Sequence, residues 1–209
     1  MLRLGDVARD PAILTYTLDR DDGTALVLRP LEHGDADGFA AFLAGLSAET
    51  RRLSTFDGYD LDTARELCAA IARHDKLRLV LDASRTGPAP SSGTIVGLME
   101  FSLDLPPGDV ARYRRAGIRL TPADCRFGPT LADDHQGKGV GSRVFPLVAD
   151  VARRFGRRRI ILWGGVFADN PRAISYYAKH GFRTVGRPFP GPDGAPSLDM
   201  ILDLPPPAA

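Results

Sequence analysis

The chain has 209 residues, 44% of them hydrophobic and 25% charged, an ordinary globular composition at a length that suits one well-cored domain at about 100 to 200 residues per domain. Its 27 Lys and Arg against 26 Asp and Glu give a net charge of +1, so no whole-protein field attracts nucleic acid or an anionic membrane, and any anion site must be local. Cys68 and Cys125 lie far apart, and the four histidines (His33, His74, His135, His180) form no ligand-spaced cluster, which argues against a structural metal or a disulfide framework. No run of about 18 uncharged apolar residues occurs, so neither signal peptide nor membrane span is readable, and a soluble cytoplasmic protein is the expectation.

In chain order, residues 1–22 carry weak signals and read as an N-terminal extension or an edge strand. "TALVLRPL" reads as a strand ended by Pro30. "DADGFAAFLAGL" places Phe39, Phe42, Leu43 and Leu46 at i, i+3, i+4, i+7, the stripe of an amphipathic helix. A second helix follows in "LDTARELCAAIARH", with Ala64, Leu67, Cys68 and Ile71 on one face and Asp62 or Thr63 as its N-cap. "KLRLVLDA" and "TIVGLMEFSL" read as two strands of a hairpin joined by the Pro/Gly/Ser turn segment "SRTGPAPSSG". Residues 104–121 are a connection longer than a normal loop, and connections of that length are commonly functional, which makes this one a candidate lid.

"CRFGPTLA" is a further strand. The helix after it carries Val144, Leu147, Val148, Val151 and Phe155 on one stripe and starts near Val140; Pro146 lies early in it, where a missing N–H invites a kink. "RRIILWGGVF" is nearly all apolar, as a strand buried on both faces should be. Its Gly164 and Gly165 mark either a bulge or a close approach to a ligand. "DNPRAISYYAKHGF" is a punctuated helix with Asn170 at the N-cap, Pro171 at N1 and Gly181 at the left-handed C′ position. "FRTVGRPF" and "SLDMILDL" close the fold as a strand pair, giving one domain over 23–204 and a frayed tail over 205–209.

The stretch "DDHQGKGVGSRV" feeds a strand through glycines into a helix start, where unpaired N–H groups and the helix dipole favour an anion and glycine removes the Cβ that would block it. A turn that merely lets strand and helix pack closely would look the same. The Walker pattern fails because Lys138 is followed by Gly139, and the dinucleotide fingerprint fails at Ser142. The pattern present is Gln136-x-x-Gly139-x-Gly141. With it, and with "NPRAISYYAKHGF" downstream, the sequence resembles the GNAT superfamily of acyl-CoA-dependent N-acyltransferases, most strongly from about Phe127 to Phe182.

That resemblance implies an α/β fold, a mixed and mostly antiparallel central sheet whose fourth and fifth strands splay, flanked by helices. It implies acetyl-CoA as co-substrate, no metal, and transfer of the acetyl group to a primary amine of a small molecule or protein by direct attack. Carried over by position, Gln136 and the backbone of Gly137, Lys138, Gly139, Val140, Gly141 and Ser142 would hold the coenzyme A pyrophosphate, with Lys138 and Arg143 as cationic partners, Asn170 at the pantetheine amides and Leu131 also at the cofactor. Tyr177, four residues before Gly181 and Phe182, would be the general acid, with Tyr176 its rival. The helical spacing sets Tyr177 over Ala173 and Ile174 and turns Tyr176 about 100° away.

A base is also needed, because a lysine-like amine is uncharged only about once in 2,500 molecules at pH 7. Glu100, the acid in "GLMEFS", is the candidate and Asp124 the alternative; Cys125 has nothing basic beside it by sequence and reads as a small buried residue. "STFDGYDLDT", with Asp57, Asp60 and Asp62, suits either a cationic amine or a capped surface turn. The run "RRFGRRR" would be the sole basis for nucleic-acid binding and otherwise reads as a solvated helix end. A homodimer is compatible with the sequence, and a coenzyme-binding sensor or scaffold without turnover is the alternative function.

Overall fold

In the computed structural model the described residues are 1–19, 25–54, 56–72, 76–83, 94–191 and 194–205. The first elements are α1 (Leu4–Arg9), β1 (Tyr16–Asp19), β2 (Ala25–Pro30), α2 (Ala36–Gly45), α3 (Ala48–Arg52) and α4 (Leu61–Ala69). Next come β3 (Lys76–Asp82), β4 (Ile95–Ser102), α5 (Pro107–Arg115), β5 (Asp124–Leu131) and α6 (Val140–Arg154). The chain closes with β6 (Arg159–Leu162), β7 (Val166–Phe167), α7 (Pro171–Lys179), β8 (Arg183–Pro190) and β9 (Pro196–Asp203). The strand order is β1-β2-β3-β4-β5-β6-β9-β7, with β8 also on β9. β5 runs parallel to β6, while β1–β2, β2–β3, β6–β9, β7–β9 and β8–β9 are antiparallel. The expected α/β fold with a mostly antiparallel sheet and flanking helices is therefore present.

Two compact units divide the chain, one of Leu2–Glu100 with Pro129–Leu147, the other of Met1 with Phe101–Gly128 and Val148–Ala209. In the first unit the predicted stripe Phe39, Phe42, Leu43 and Leu46 is buried, joined by Ala64 and Cys68 of α4 and by Val80, Ile95 and Leu98 of the sheet. Each large aliphatic or aromatic side chain removed from water there contributes about 1.5–3 kcal/mol. Among the described residues β1 forms an edge of the sheet, paired with β2. The α4 cap differs from expectation: Asp60, not Asp62 or Thr63, takes the N-cap, its carboxylate accepting the Thr63 N–H at 2.9 Å. The sequence offers three candidates within four positions, Asp60, Asp62 and Thr63, and Asp60 is the one with the extended backbone a cap requires, just before the helix starts at Leu61.

In the second unit Tyr113, Ile161, Val185 and Ile201 form a buried cluster. Residues 104–121, read as a loop, contain helix α5. Pro107 opens it at N1, Tyr113 is fully buried, and the Tyr113 hydroxyl donates to Met200 O at 2.9 Å. Charge holds the same helix: Arg112 donates to both carboxylate oxygens of Asp199, at 3.0 and 3.1 Å, and to Asp109 at 2.6 Å. Its apolar stripe is only Val110 and Tyr113, too short to register as periodicity among arginines. The turn segment 84–93, residues 192–193 of the last loop, His74 and the tail residues 206–209 lie outside the described residues.

Candidate active site

The glycine stretch belongs wholly to the first unit. β5 ends at Leu131, whose side chain packs where a Cβ on Gly97 would stand. A 3-10 turn over Asp133–His135 leads to Gln136, and α6 begins at Val140 as expected. Gly137 and Gly139 both have positive φ, +70° and +77°, and a Cβ at either would meet nothing within 4 Å. Their glycine identity thus answers to backbone conformation and to open space, not to close packing against the protein. The helical ladder starts with Arg143 N–H to Gly139 O at 3.1 Å, so the amides of Val140, Gly141 and Ser142 precede it at the positive end of a 15-residue helix. Open space beside two glycines at a helix start fits a pyrophosphate. Pro146 lies inside α6, which runs unbroken past it to Arg154.

Around this loop the side chains behave differently from one another. Lys138 is exposed at its tip. Arg143 donates to Asp19 O at 3.1 Å. Gln136 turns inward: its Nε2 donates to Leu131 O at 2.9 Å and to Thr50 Oγ1 at 3.0 Å. Thr50 in turn donates to Asp133 Oδ1 at 2.7 Å, and Ser47, the N-cap of α3, adds Oγ to Oδ1 at 2.6 Å and N–H to Oδ2 at 2.9 Å. Burial opposes the charge on Asp133, but the Ser47 and Thr50 donors outweigh it and hold the carboxyl below its ordinary range. Sequence reasoning missed Ser47, Thr50 and Asp133. The signal available was Ser47 three residues before Thr50, a cap pattern on a helix of five residues, too short for any apolar stripe.

Glu100, on β4 of the same unit, is ion-paired: Arg78 Nε and Nη2 both reach its Oε1 at 2.7 Å, with the two side chains 4% and 12% exposed. Arg78 Nη1 is buried without a hydrogen-bond partner. Of the acidic segment 54–63, Asp60 is the α4 cap and Asp62 pairs with Arg65 at 3.4 Å on the surface, while Asp57 is exposed.

The second unit holds the downstream motif. β5 and β6 pair in register as far as Phe127 and Leu162, and Trp163 N–H still reaches Phe127 O at 2.9 Å. Gly164 and Gly165 then turn with φ of +70° and +81°, ending β6. A Cβ on Gly165 would stand 2.8 Å from Leu198 O and 2.9 Å from the Phe189 ring, so this glycine admits a neighbouring strand. Asn170 caps α7 as expected, its Oδ1 accepting Ala173 N–H at 3.1 Å, with Pro171 in the first turn and Gly181 at φ +87°.

Tyr177 is the buried tyrosine of α7, at 7% exposure, and its ring lies edge-on to Phe182 with centroids 5.2 Å apart. Its hydroxyl has no hydrogen-bond partner among the described residues. Tyr176 is half-buried and packs against His180, centroids 4.8 Å apart. Burial raises both phenols, Tyr177 further through Tyr176, so both stay protonated through neutral pH. Burial and Lys179 lower His180.

Asp124, the alternative base, is 1% exposed and accepts Arg159 Nε and Nη2, each at 2.7 Å, and Thr121 N–H at 2.6 Å. Burial raises Cys68 to about 11 and Cys125 to about 12, so neither thiol is a nucleophile at neutral pH. The arginine run is tied into the fold: Arg153 donates to Pro205 O, Arg157 to Pro122 O, and Arg159 to Asp124 and Arg119 O. Among the described residues no His, Cys, Asp and Glu group could hold a metal, and no helix is long and apolar enough to cross a membrane.

Solved structures share this fold. The GNAT domain of S. lividans PAT is 22% identical with a TM-score of 0.65, covering 93% of this chain and 99% of that one. AAC(6')-Ib, solved with ribostamycin and coenzyme A, is 18% identical at 0.63, covering 85% and 93%. The spermidine N-acetyltransferase of Vibrio cholerae, solved with CoA and spermine, is 19% identical at 0.61, covering 86% and 95%. No match was found among curated proteins. The profile of the acetyltransferase (GNAT) family matches residues 48–182, a span that starts with α3 and takes in the glycine loop, α6 and α7. The chain belongs to the acetyltransferase (GNAT) family.

Proposed function

We propose that the protein transfers an acetyl group from acetyl-CoA to a primary amine of a small molecule or protein, by direct attack of the amine and with no covalent enzyme intermediate. The observation that carries this is the loop before α6, where Gly137 and Gly139 keep open space beside a helix start. The first-turn amides of α6 would bind the coenzyme pyrophosphate, with exposed Lys138 adding charge at the rim. Asn170 already caps α7 with Oδ1, and its amide N–H groups remain the side-chain donors for the pantetheine arm.

Glu100 is the carboxylate assigned to take the acceptor's proton, directly or through water, from its pair with Arg78. Tyr177 Oη is assigned to give a proton to the departing thiolate. Two observations support that role: the phenol stays protonated, and its hydroxyl is not tied to the fold. Donation from a phenol raised above its ordinary value by burial to a thiolate near 8.5 is uphill, which places the assistance at the low end of the general-acid range, about 100-fold at most. The aminoglycoside and polyamine complexes of AAC(6')-Ib and the V. cholerae enzyme support a small amine as acceptor.

Calorimetric titration with acetyl-CoA, followed by turnover with an amine, tests the reading. Binding without turnover across a broad amine set would favour a sensor or scaffold; no binding would contradict both.

A further inference from the structure

Two residues of the glycine loop have no side chain to fix the backbone. Gly137 and Gly139 occupy positive φ with nothing within 4 Å of their Cβ positions, and a glycine backbone is the most permissive the chain can have. The direction of the amides before α6 is then set in part at the ends of the loop. At the C-terminal end the α6 ladder does so, from Arg143 N–H onward. At the N-terminal end Gln136 turns its side chain inward.

Both Nε2 hydrogens of Gln136 have acceptors, Leu131 O at the end of β5 and Thr50 Oγ1 on α3. Thr50 is 9% exposed, and its hydroxyl, accepting from Gln136, passes its own hydrogen to Asp133 Oδ1 at 2.7 Å. Asp133 is fixed by three donors in all, two from the Ser47 cap, and Asp133 O takes the Gln136 N–H at 3.1 Å. The result is a closed ring of hydrogen bonds, Asp133 to Thr50 to Gln136 and back through the backbone. Because Asp133 is ionised in it, the Thr50 to Asp133 bond is of the stronger, charge-assisted kind.

We infer that Thr50 and Asp133 are positioning residues for coenzyme binding: they lock the Gln136 amide, and through it the direction of the backbone N–H groups of residues 137–142, without touching the coenzyme themselves. The inference rests on the proposed role of this loop as the pyrophosphate site. It also changes what the Gln136 side chain does, from a ligand of the pyrophosphate to a clamp on the loop.

The test is calorimetry of the full chain with coenzyme A. Thr50→Val keeps the shape and removes the hydroxyl; it should weaken affinity about tenfold, while Thr50→Ser, which restores the hydroxyl, should bind within about twofold of wild type. Asp133→Ala should weaken affinity by a similar factor, and the Thr50→Val/Asp133→Ala double variant should bind about as well as Asp133→Ala alone, because both act through one ring. Unchanged affinity in Thr50→Val, a Thr50→Ser variant no better than Thr50→Val, or multiplying effects in the double variant would overturn the inference. A wild-type chain that binds no coenzyme A would overturn it together with the functional reading beneath it.

Discussion

The Tyr177 ring stands edge-on to the Phe182 ring, centroids 5.2 Å apart, and this contact holds the phenol in the fold without engaging its hydroxyl. A core tyrosine kept for structure is ordinarily anchored through that oxygen, as Tyr113 is on Met200 O. That difference between the two buried tyrosines supports Tyr177 as the proposed proton donor. Tyr177→Phe should lower kcat by one to two orders of magnitude, at the low end of the general-acid range, with acetyl-CoA affinity and Tm nearly unchanged. Tyr176→Phe should leave kcat within about twofold. Steady-state kinetics on the two variants decide it, and the reverse ranking would move the role to Tyr176.

Gly139→Val probes the loop itself. The substitution puts a β-branched residue at φ +77° and into open space, a backbone penalty of about 1–2 kcal/mol. Gly117, about 20 positions before the loop, offers a matched control, with φ +78° and nothing within 4 Å of its Cβ. Both valine variants should lose similar stability. Only Gly139→Val should lose coenzyme A affinity, by about 100-fold or more, equivalent to about 2.7 kcal/mol. Equal affinities for the two variants would show that the loop is a packing turn.

The Arg78–Glu100 pair separates stability from chemistry. Arg78 is buried and Glu100 largely so, and Arg78 Nη1 lacks a partner, so the pair is imperfectly satisfied. Arg78→Met leaves the carboxylate alone and should destabilise by about 3–5 kcal/mol, whereas Arg78→Met/Glu100→Leu should recover most of that loss. Denaturant melts measure it. Glu100→Gln keeps the shape and should lower kcat at saturating substrate by about 100-fold if Glu100 is the base; wild-type turnover in that variant would reduce Glu100 to a structural partner of Arg78.

The two thiols predict an alkaline limit. Burial raises Cys68 from 9.0 to about 11 and Cys125 from 9.0 to about 12. Groups raised in the folded state contribute stability in full below the unfolded value and lose it as pH climbs through the folded one. Stability should therefore fall from about pH 9 upward, with a slope approaching about 1.4 kcal/mol per pH unit for each thiol. Cys125→Ala should melt lower at pH 7 from its cavity yet lose less stability between pH 9 and 11 than wild type. An identical slope in the variant would contradict the assignment.

Long amphipathic stripes and complete punctuation were legible in the sequence. The α2 face of Phe39, Phe42 and Leu43, the α6 stripe and the Asn170–Pro171 start of α7 appear where their spacing puts them, because periodic burial and local capping are properties of neighbouring residues. α5 was not legible: it is held by Arg112 on Asp199 and by Tyr113 on Met200 O, partners 87 positions away. The same limit applies to the site. Gln136 was identified as part of the loop, but its turn toward Thr50, 86 positions earlier, depends on a tertiary meeting that no local pattern encodes. Likewise Glu100 read as a lone acid in an apolar strand, and only strand pairing brings Arg78 beside it.

Acetyl transfer is tested most directly by release of free coenzyme A thiol from acetyl-CoA across a panel of polyamines, aminoglycosides, amino acids and peptides, with the acetylated product confirmed by mass. The account predicts release that depends on one class of amine, saturates in both substrates and falls in Gly139→Val and Tyr177→Phe. Thiol release no faster than buffer with every amine, from a folded protein that binds acetyl-CoA, would contradict it.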